Sequence, residues 1–268
     1  MKLSRRRILK TGAALASAAL GANLLSRAPA LGGSGSQAPE PATAYDWTKH
    51  DWAFAVDTTK CIGCGLCLQA CKLENNVPRS PEYNRTWVER HTTTEDHKLV
   101  IDSPEGGVDG FPARPPVNGS KVTKSFFVAR LCNQCENPPC VAVCPVSATY
   151  KTKDGVVLVD QKRCIGCGYC VVACPYGARY LVPRGDRTPT GNPGVADKCT
   201  WCYHQITRGL TPACVEVCPV QARIFGDQRD PESPVSKTLA TKRVQVLKPE
   251  LGTKPKVYYI GLETDVRQ

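Results

Sequence analysis

The chain has 268 residues, including 16 cysteines, 22 glycines and 22 prolines, while aromatic residues make up only 7%. This composition predicts a loop-rich protein that is held together by something other than a large apolar core. The formal net charge is +11, but six basic residues and no acidic residue lie within the first 30 positions, which leaves +5 for the rest. The basic balance therefore does not favour a nucleic-acid partner, and we expect none.

The first 30 residues read as a targeting segment. Ser4–Lys10, with the sequence SRRRILK, resembles the twin-arginine export signature, and a weakly apolar stretch rich in Ala and Gly follows it. Ala28–Ala30 fits a small-residue cleavage site. We interpret residues 1–30 as a twin-arginine signal peptide cleaved after Ala30 and predict a periplasmic protein; an ordinary amphipathic helix is the alternative. Residues 31–50, which begin with a stretch rich in Gly, Ser, Pro and Ala, are interpreted as a flexible linker.

The sixteen cysteines form four groups of four, with none left over. An even number of cysteines in an exported protein suggests disulfides, while four zinc sites and four iron–sulfur clusters are the competing interpretations. The groups are Cys61, Cys64, Cys67 and Cys71; Cys132, Cys135, Cys140 and Cys144; Cys164, Cys167, Cys170 and Cys174; and Cys199, Cys202, Cys214 and Cys218.

The third group stands in the segment CIGCGYCVVACP, Cys164–Pro175. It matches the bacterial ferredoxin run C-x2-C-x2-C-x3-C-P, whose fourth cysteine binds the other of two clusters. The first group repeats this spacing in CIGCGLCLQACK, Cys61–Lys72, with lysine in place of the final proline. Zinc sites usually combine two separate C-x2-C pairs, and cysteines so close in a tight loop cannot easily form disulfides. The spacing therefore favours four [4Fe–4S] clusters.

The order of the groups predicts two domains. The second and third groups flank a predicted hairpin, Tyr150–Asp160, which is the layout of a two-cluster ferredoxin domain; we assign it to residues 126–180. Pseudo-symmetry then predicts an outer domain of the same kind, made of residues 51–75 and 181–226 and wrapped around the inner one. The predicted fold class is α+β, with two intertwined bacterial 2[4Fe–4S] ferredoxin-like domains, loop-rich, with a hairpin insertion.

Exchange of the fourth cysteine between paired groups predicts four ligand sets, numbered here 1 to 4. Set 1 is Cys61, Cys64, Cys67 and Cys218; set 2 is Cys132, Cys135, Cys140 and Cys174; set 3 is Cys164, Cys167, Cys170 and Cys144; set 4 is Cys199, Cys202, Cys214 and Cys71.

A short repeat, Cys-Pro-x-x-Ala, begins at Cys144, Cys174 and Cys218. Proline fixes the backbone angle φ and removes a hydrogen-bond donor, so the chain leaves each cysteine in a set direction. The small alanine lets the following strand pass close to the metal site.

Residues 76–125 are predicted to be an insertion. Thr86–His91 and His97–Asp102 have the pattern of two short strands of a hairpin, and the Pro- and Gly-rich residues 103–120 predict an exposed loop. Long structured loops on a small scaffold usually serve binding, so we expect a partner contact here, with a passive surface excursion as the alternative.

The remaining strands and the C-terminus are predicted from shorter patterns. Ser125–Arg130 reads as a strand that leads into the second cysteine group. Residues 227–268 form a predicted C-terminal tail with a helix over Pro234–Ala240, capped by Ser233, and a last strand over Lys256–Ile260.

The segment CNQCENPPCVAVCPVSATYKTKDGVVLVDQKRCIGCGYCVVACPYGARY, Cys132–Tyr180, closely resembles the four-cluster electron-transfer subunits of the dimethyl-sulfoxide-reductase type. Lys198–Pro219 and Leu251–Ile260 resemble the last cysteine group and the tail of that family, and the likeness covers about residues 50 to 262. It implies four [4Fe–4S] clusters in a row. It also implies a hetero-oligomer, in which electrons pass between a polytopic, quinol-interacting membrane subunit and a molybdopterin catalytic subunit or a multihaem cytochrome.

No feature of the sequence predicts an enzyme. His50, His91, His97 and His204 form no spaced metal pair, no dinucleotide or P-loop fingerprint is present, and ligation uses every sulfur. We predict a non-catalytic electron-transfer subunit that lies on the cytoplasmic membrane only through a partner, since no apolar run after the signal reaches about 18 residues. A free-standing periplasmic polyferredoxin and a zinc-stabilised binding module are the alternatives.

Four further residues lie within or beside the cysteine groups. Trp201 stands between Cys199 and Cys202, and we expect its ring to pack on a cluster. Lys198, Arg163 and Lys162 flank two groups, where a positive charge raises the potential of a cluster unless solvent screens it.

Overall fold

A computed structural model describes residues 45–185 and 193–262. The predicted signal peptide over residues 1–30, with its cleavage site, lies outside the described residues. So do residues 31–44 of the predicted linker, residues 186–192 of the predicted outer domain and the last six residues of the predicted tail.

The described chain contains small sheets and few helices, in a mixed α/β arrangement. The strands are β1 (Trp52–Asp57), β2 (Thr86–Thr94), β3 (Leu99–Asp102), β4 (Val122–Leu131), β5 (Thr149–Lys151), β6 (Val157–Val159), β7 (Arg179–Leu181), β8 (Ala196–Lys198), β9 (Arg223–Asp227), β10 (Val244–Gln245) and β11 (Val257–Ile260). The helices are α1 (Leu66–Glu74), α2 (Pro139–Ala142), α3 (Tyr169–Val172), α4 (Tyr203–Ile206), α5 (Ala213–Glu216) and α6 (Pro234–Thr241). Within the described ranges, no helix is long and apolar enough to cross a membrane.

Four antiparallel strand pairs repeat one arrangement. In each pair, a strand that follows the last cysteine of one group lies beside a strand that precedes the first cysteine of a group. The pairs are β2 with β4, β5 with β6, β7 with β8, and β9 with β1. Three of the pairs therefore join consecutive cysteine groups, and the β9–β1 pair joins the last group to the first.

The two ends of the described chain meet in a four-stranded sheet with the order β10-β11-β1-β9. β11 runs parallel to β1, and the side chains of Phe54, Val56 and Tyr259 are fully buried where these strands meet. The predicted helix and last strand of the tail are confirmed as α6 and β11. Ser233 caps α6, since its hydroxyl accepts a hydrogen bond from the Ser236 amide at 3.2 Å.

Residues 45–50, the end of the predicted flexible linker, are ordered in the structure. Trp47–Lys49 form a short 3-10 helix, and the Tyr45 hydroxyl donates to the Asp154 carboxylate at 2.5 Å. His50 lies 2.8 Å from the Asp227 carboxylate, and its ring stacks on Trp52. Composition does not show this order, because it comes from contacts with residues more than 100 positions away.

Helix α1 is longer than the other helices that carry cysteines. It spans nine residues, whereas α2, α3 and α5 span four each and end just before a Cys-Pro pair. Proline cannot continue a helix, but Lys72 can. The Lys72 ammonium donates to the carbonyl oxygens of Pro78 and Tyr83 at 2.8 and 2.7 Å, which anchors the start of the insertion.

The insertion forms a three-stranded antiparallel sheet with the order β3-β2-β4. Arg90 of β2 donates two hydrogen bonds to the Asp102 carboxylate of β3, at 2.9 and 2.7 Å, and a third to the Pro112 carbonyl. The edge strand and the following loop are therefore held to β2 by one buried guanidinium.

A second buried ion pair joins the insertion to the cysteine groups. Arg85, just before β2, donates to both carboxylate oxygens of Asp197 in β8, at 2.9 and 2.8 Å. It also donates to the Asn75 side chain at 2.9 Å, and the Tyr180 hydroxyl donates to Asp197 at 2.5 Å. Breaking such a buried pair leaves one uncompensated charge in the interior.

We expect the substitution Arg85→Met to lower the free energy of unfolding by about 3–5 kcal/mol, because Asp197 loses its partner. Thermal unfolding followed by circular dichroism should show the midpoint fall by roughly 6 °C or more. The control Lys98→Met breaks the exposed Lys98–Asp96 pair and should leave the midpoint unchanged. Equal shifts in both variants would contradict the role of the Arg85 pair.

Candidate metal centres

The four cysteines of set 1 line one cavity. Cys61, Cys64 and Cys67 lie on the loop before and at the start of α1, and Cys218 reaches the same cavity from the turn before β9. The loop needs its glycines. Gly63 and Gly65 have φ angles of 68° and 77°, and a Cβ atom on either would clash with the Phe127 ring or the Val108 carbonyl.

The four cysteines of set 2 line a second cavity. Cys132, Cys135 and Cys140 belong to the loop after β4 and to α2, and Cys174 enters from the turn before β7. Asn133, Tyr176 and Arg179 also line this cavity. The Tyr176 hydroxyl lies 2.5 Å from the Thr253 hydroxyl, so the C-terminal part of the chain holds this wall in place.

The four cysteines of set 4 are all buried. The Asn75 side-chain nitrogen lies 3.6 Å from the sulfurs of both Cys71 and Cys202. Cys71 in α1 and Cys202 just before α4 are therefore close in space. Burial, aided by neighbouring thiolates, raises the pKa of Cys199 to about 12 and that of Cys214 to about 11. A metal centre binds the thiolate form, so its positive charge would have to offset this cost of ionisation.

Set 3 is as open as set 1 and more open than sets 2 and 4. Cys167 is exposed, Cys144 and Cys164 are half-buried, and Cys170 is buried. Cys164 and Cys170 pack into one small apolar cluster with Val157 and Ala196. The β5–β6 pair carries Cys144 toward them, since the Asp160 amide donates to the Ala148 carbonyl at 2.7 Å.

Backbone N–H groups donate to cysteine sulfurs at the Cys-Pro-x-x-Ala repeat. The alanine amide is 3.2 Å from the sulfur at Cys144 and 3.3 Å at Cys218, and a similar bond reaches Cys174 from Ala178. Burial raises the pKa of the Cys144 thiol, but the amides of Thr149 and its neighbours outweigh it and lower the pKa. The alanine therefore matters for its amide as well as for its small side chain.

Three buried side-chain donors beside the sets have no hydrogen-bond partner within the described part of the chain: Asn133 Nδ2, Trp201 Nε1 and Arg223 Nη1. Asn133 lines the set 2 cavity, Arg223 lines the set 1 cavity, and Trp201 lies in the set 4 loop. Buried donors are normally satisfied. Sulfide ions of iron–sulfur clusters accept hydrogen bonds, so these residues fit such clusters.

The sets follow one another in the spatial order 1, 4, 2, 3. Cys214 of set 4 interacts electrostatically with Cys67 of set 1, and Cys199 of set 4 with Cys132 of set 2. Arg179 joins set 2 to set 3, because it contacts both Cys140 and Cys170. Each terminal set has one exposed cysteine, Cys64 in set 1 and Cys167 in set 3. All sixteen cysteines are free in the structure.

Sequence reasoning did not identify two arginines that lie among the cysteines. Arg179 and Arg223 are buried, and each stands directly after the alanine of a Cys-Pro-x-x-Ala repeat. The sequence signal that could have identified them is the longer repeat Cys-Pro-x-x-Ala-Arg, which occurs at Cys174 and Cys218. By contrast, Lys162 and Arg163 are exposed, and Trp201 is almost fully buried, in contact with Phe54 and Phe225.

Comparison with known proteins agrees with this geometry. Two families, both described as "4Fe-4S dicluster domain", match residues 60–148 and 123–228. A tetrathionate reductase subunit of Salmonella typhimurium is 42% identical over 80% of this chain and 74% of its own length. The electron transfer subunit of a thiosulfate reductase of Salmonella typhi is 39% identical over 73% and 84%, respectively.

A third relative covers nearly the whole chain. The Hdr-like menaquinol oxidoreductase iron–sulfur subunit 1 of Archaeoglobus fulgidus is 36% identical over 97% of this chain and 98% of its own length. The matches favour iron–sulfur clusters over zinc, and none of these three relatives is named as a catalytic subunit. This protein therefore belongs to the family of 4Fe-4S dicluster electron-transfer subunits of reductase complexes.

Proposed function

We propose that sets 1, 4, 2 and 3 hold four [4Fe–4S] clusters and that the chain relays electrons along this row. The relay runs between a quinol-interacting membrane subunit and a periplasmic molybdopterin subunit or multihaem cytochrome. The observation that carries the proposal is the arrangement of sixteen free cysteines in four successive sets whose ends reach the surface. The clusters would supply one-electron transfer, while the protein fixes their spacing and their potentials.

The two inner sets are shielded from water. Every cysteine of set 4 is buried, and set 2 has only Cys174 half-buried. Trp201 and Phe225 pack edge to face beside set 4, with their ring centroids 5.6 Å apart. Burial of these cysteines supports a row in which electrons enter and leave at its more exposed ends.

Both ends of the row carry exposed apolar side chains. Ile165, Tyr169 and Val172 lie near the exposed Cys167 of set 3 in the sequence and are exposed, with Val172 at 89%. At the other end, Ile62 and Leu66 flank the exposed Cys64 of set 1. Apolar patches beside a functional group are typical of protein–protein contacts, which supports one docking partner at each end.

The domain organisation is part of the proposal. Cys71 lies among the cysteines of the last group, and Cys174 among those of the second group, which supports an outer domain intertwined with an inner one. The insertion packs against the set 1 loop, because the Gln69 side chain donates to the Val108 carbonyl at 2.9 Å. We propose that the insertion shields set 1 and contributes to partner contact at this end.

The exported location is supported by the sequence SRRRILK near the N-terminus. Co-purification of the chain from its native organism with a periplasmic partner and a membrane partner would agree with an exported location. The free-standing polyferredoxin is the second candidate function, and co-purification separates the two.

The crossed ligand sets predict that two neighbouring cysteines of α1 serve different clusters. Cys67→Ser should alter only the set 1 cluster and Cys71→Ser only the set 4 cluster, although the two residues are one helical turn apart. Electron paramagnetic resonance of the reduced protein should therefore show a different signal changed in each variant. Iron and acid-labile sulfide should reach four of each per set in the unaltered chain. If both variants change the same signal, the ligand assignment is wrong.

The relay predicts stable partners. A tagged full-length chain, purified from the membranes of its native organism in mild detergent, should bring down a molybdopterin protein or a multihaem cytochrome together with a polytopic membrane protein. Mass spectrometry identifies them. Recovery of the chain alone, loaded with clusters, would instead establish the free-standing carrier.

The export signal predicts that Arg5→Lys combined with Arg6→Lys retains the chain in the cytoplasm, because the twin-arginine pair is lost. Cell fractionation and immunoblotting measure the periplasmic share, with the exposed substitution Arg163→Gln as a control that leaves export unchanged. Normal export of the double variant would refute the twin-arginine assignment.

A further inference from the structure

Three buried cations lie within the row of cysteine sets. The side chains of Arg223, Lys198 and Arg179 are 3%, 0% and 5% exposed. Among the described residues, no carboxylate lies within 4 Å of any of them. An unpaired buried cation costs several kcal/mol, so its charge needs another source of compensation.

Arg223 stands between sets 1 and 4. It lines the cavity of set 1, and one of its guanidinium nitrogens donates to the Thr86 hydroxyl at 2.7 Å. Cys214 of set 4 and Cys67 of set 1 both lie close enough to stabilise its charge. Its Nη1 atom has no partner within the described part of the chain.

Arg179 stands between sets 2 and 3. Its Nη2 atom lies 3.2 Å from the Cys140 sulfur of set 2, and its guanidinium is also hydrogen-bonded to Cys170 of set 3. Arg179 Nη1 donates to the Thr149 hydroxyl at 3.3 Å, which orients the guanidinium group. One guanidinium therefore contacts two successive sets.

Lys198 stands between sets 4 and 2. It is directly opposite Arg179 in the β7–β8 pair, and its ammonium donates to the Cys199 carbonyl at 2.8 Å. The charge acts on the sulfur of Cys199 in set 4 and on that of Cys140 in set 2. The three cations thus occupy the three junctions of the row.

We propose that Arg223, Lys198 and Arg179 are shared counter-cations, each of which raises the reduction potentials of the two clusters on either side of it. This inference rests on the proposed function, because the clusters supply the negative charge that the cations lack. A cluster with four thiolates is a net anion, and burial disfavours the extra electron. A cation at each junction offsets this penalty for both the donor and the acceptor cluster.

The arrangement distinguishes inner from outer sets. Sets 4 and 2 each face two of these cations, whereas sets 1 and 3 each face one. The inner sets are also the most buried, so the free-energy cost of adding an electron to a buried anionic cluster is greatest there. Arg85 is different, because Asp197 neutralises its charge beside Cys71.

The test is potentiometric titration of the purified chain, with clusters followed by electron paramagnetic resonance. Arg179→Gln should lower two of four midpoint potentials and leave two unchanged, and Lys198→Met and Arg223→Gln should each lower a different pair. We expect at least a tenfold change in each affected reduction equilibrium, which is about 59 mV for a one-electron couple. The matched control is Arg163→Gln, which removes an exposed arginine next to Cys164 and should shift none, since solvent screens it.

The variants Arg179→Lys and Arg223→Lys separate the effect of the positive charge from the effect of the arginine shape. Because lysine keeps the charge, the cluster midpoint potentials of these variants should lie closer to those of the unaltered chain than the potentials of the glutamine variants do. If a glutamine variant fails to assemble clusters while its lysine variant assembles them, the need for a cation at that junction is supported. If neither assembles, the site requires the arginine shape and the inference is overturned there. An assembled neutral variant with four unmoved midpoints overturns it outright. Absence of iron and sulfide from the unaltered chain would instead refute the proposed function.

Discussion

In the cysteine sets proposed here, the fourth cysteine comes from a different cysteine group than the other three, and the fold has to bring these groups together. Cys218 shares a cavity with Cys61, and Cys71 approaches Cys202. Such encounters need backbone that spans the gap. The four antiparallel strand pairs provide it, because each pairs a strand that follows one cysteine group with a strand that precedes a cysteine group. The largest pair, β2 with β4, forms the three-stranded sheet of the insertion together with β3.

This constraint also explains the unusual interior. Much of the core consists of cysteine side chains, and it contains arginine and lysine side chains that an apolar core would exclude. Burial of Arg179, Arg223 and Lys198 makes physical sense only beside a concentrated negative charge. The apolar residues, such as Phe54 and Trp201, then act mainly to keep water away from the cysteines. Stability and electron transfer therefore depend on the same packing.

Helix α1 shows how one residue changes the outcome of a repeated motif. Three groups end in Cys-Pro, and their short helices stop there, whereas Lys72 lets α1 continue to Glu74. The same lysine holds the carbonyls of Pro78 and Tyr83, so the substitution both permits and anchors the insertion. The sequence predicted an insertion after this group. It did not predict the anchor, since those carbonyl positions depend on the path of the loop.

The number of cysteine groups, the hairpin over Tyr150–Asp160 and the helix that Ser233 caps follow from the amino-acid sequence, because they depend on local spacing and local backbone preference. The order of the sets in space, the parallel contact of β11 with β1 and the ordering of residues 45–50 depend on contacts that form only in the folded chain. The same holds for the buried position of Lys198 compared with the exposed Arg163. Both residues precede a cysteine in the sequence, and whether solvent screens such a charge depends on what the rest of the chain packs around it.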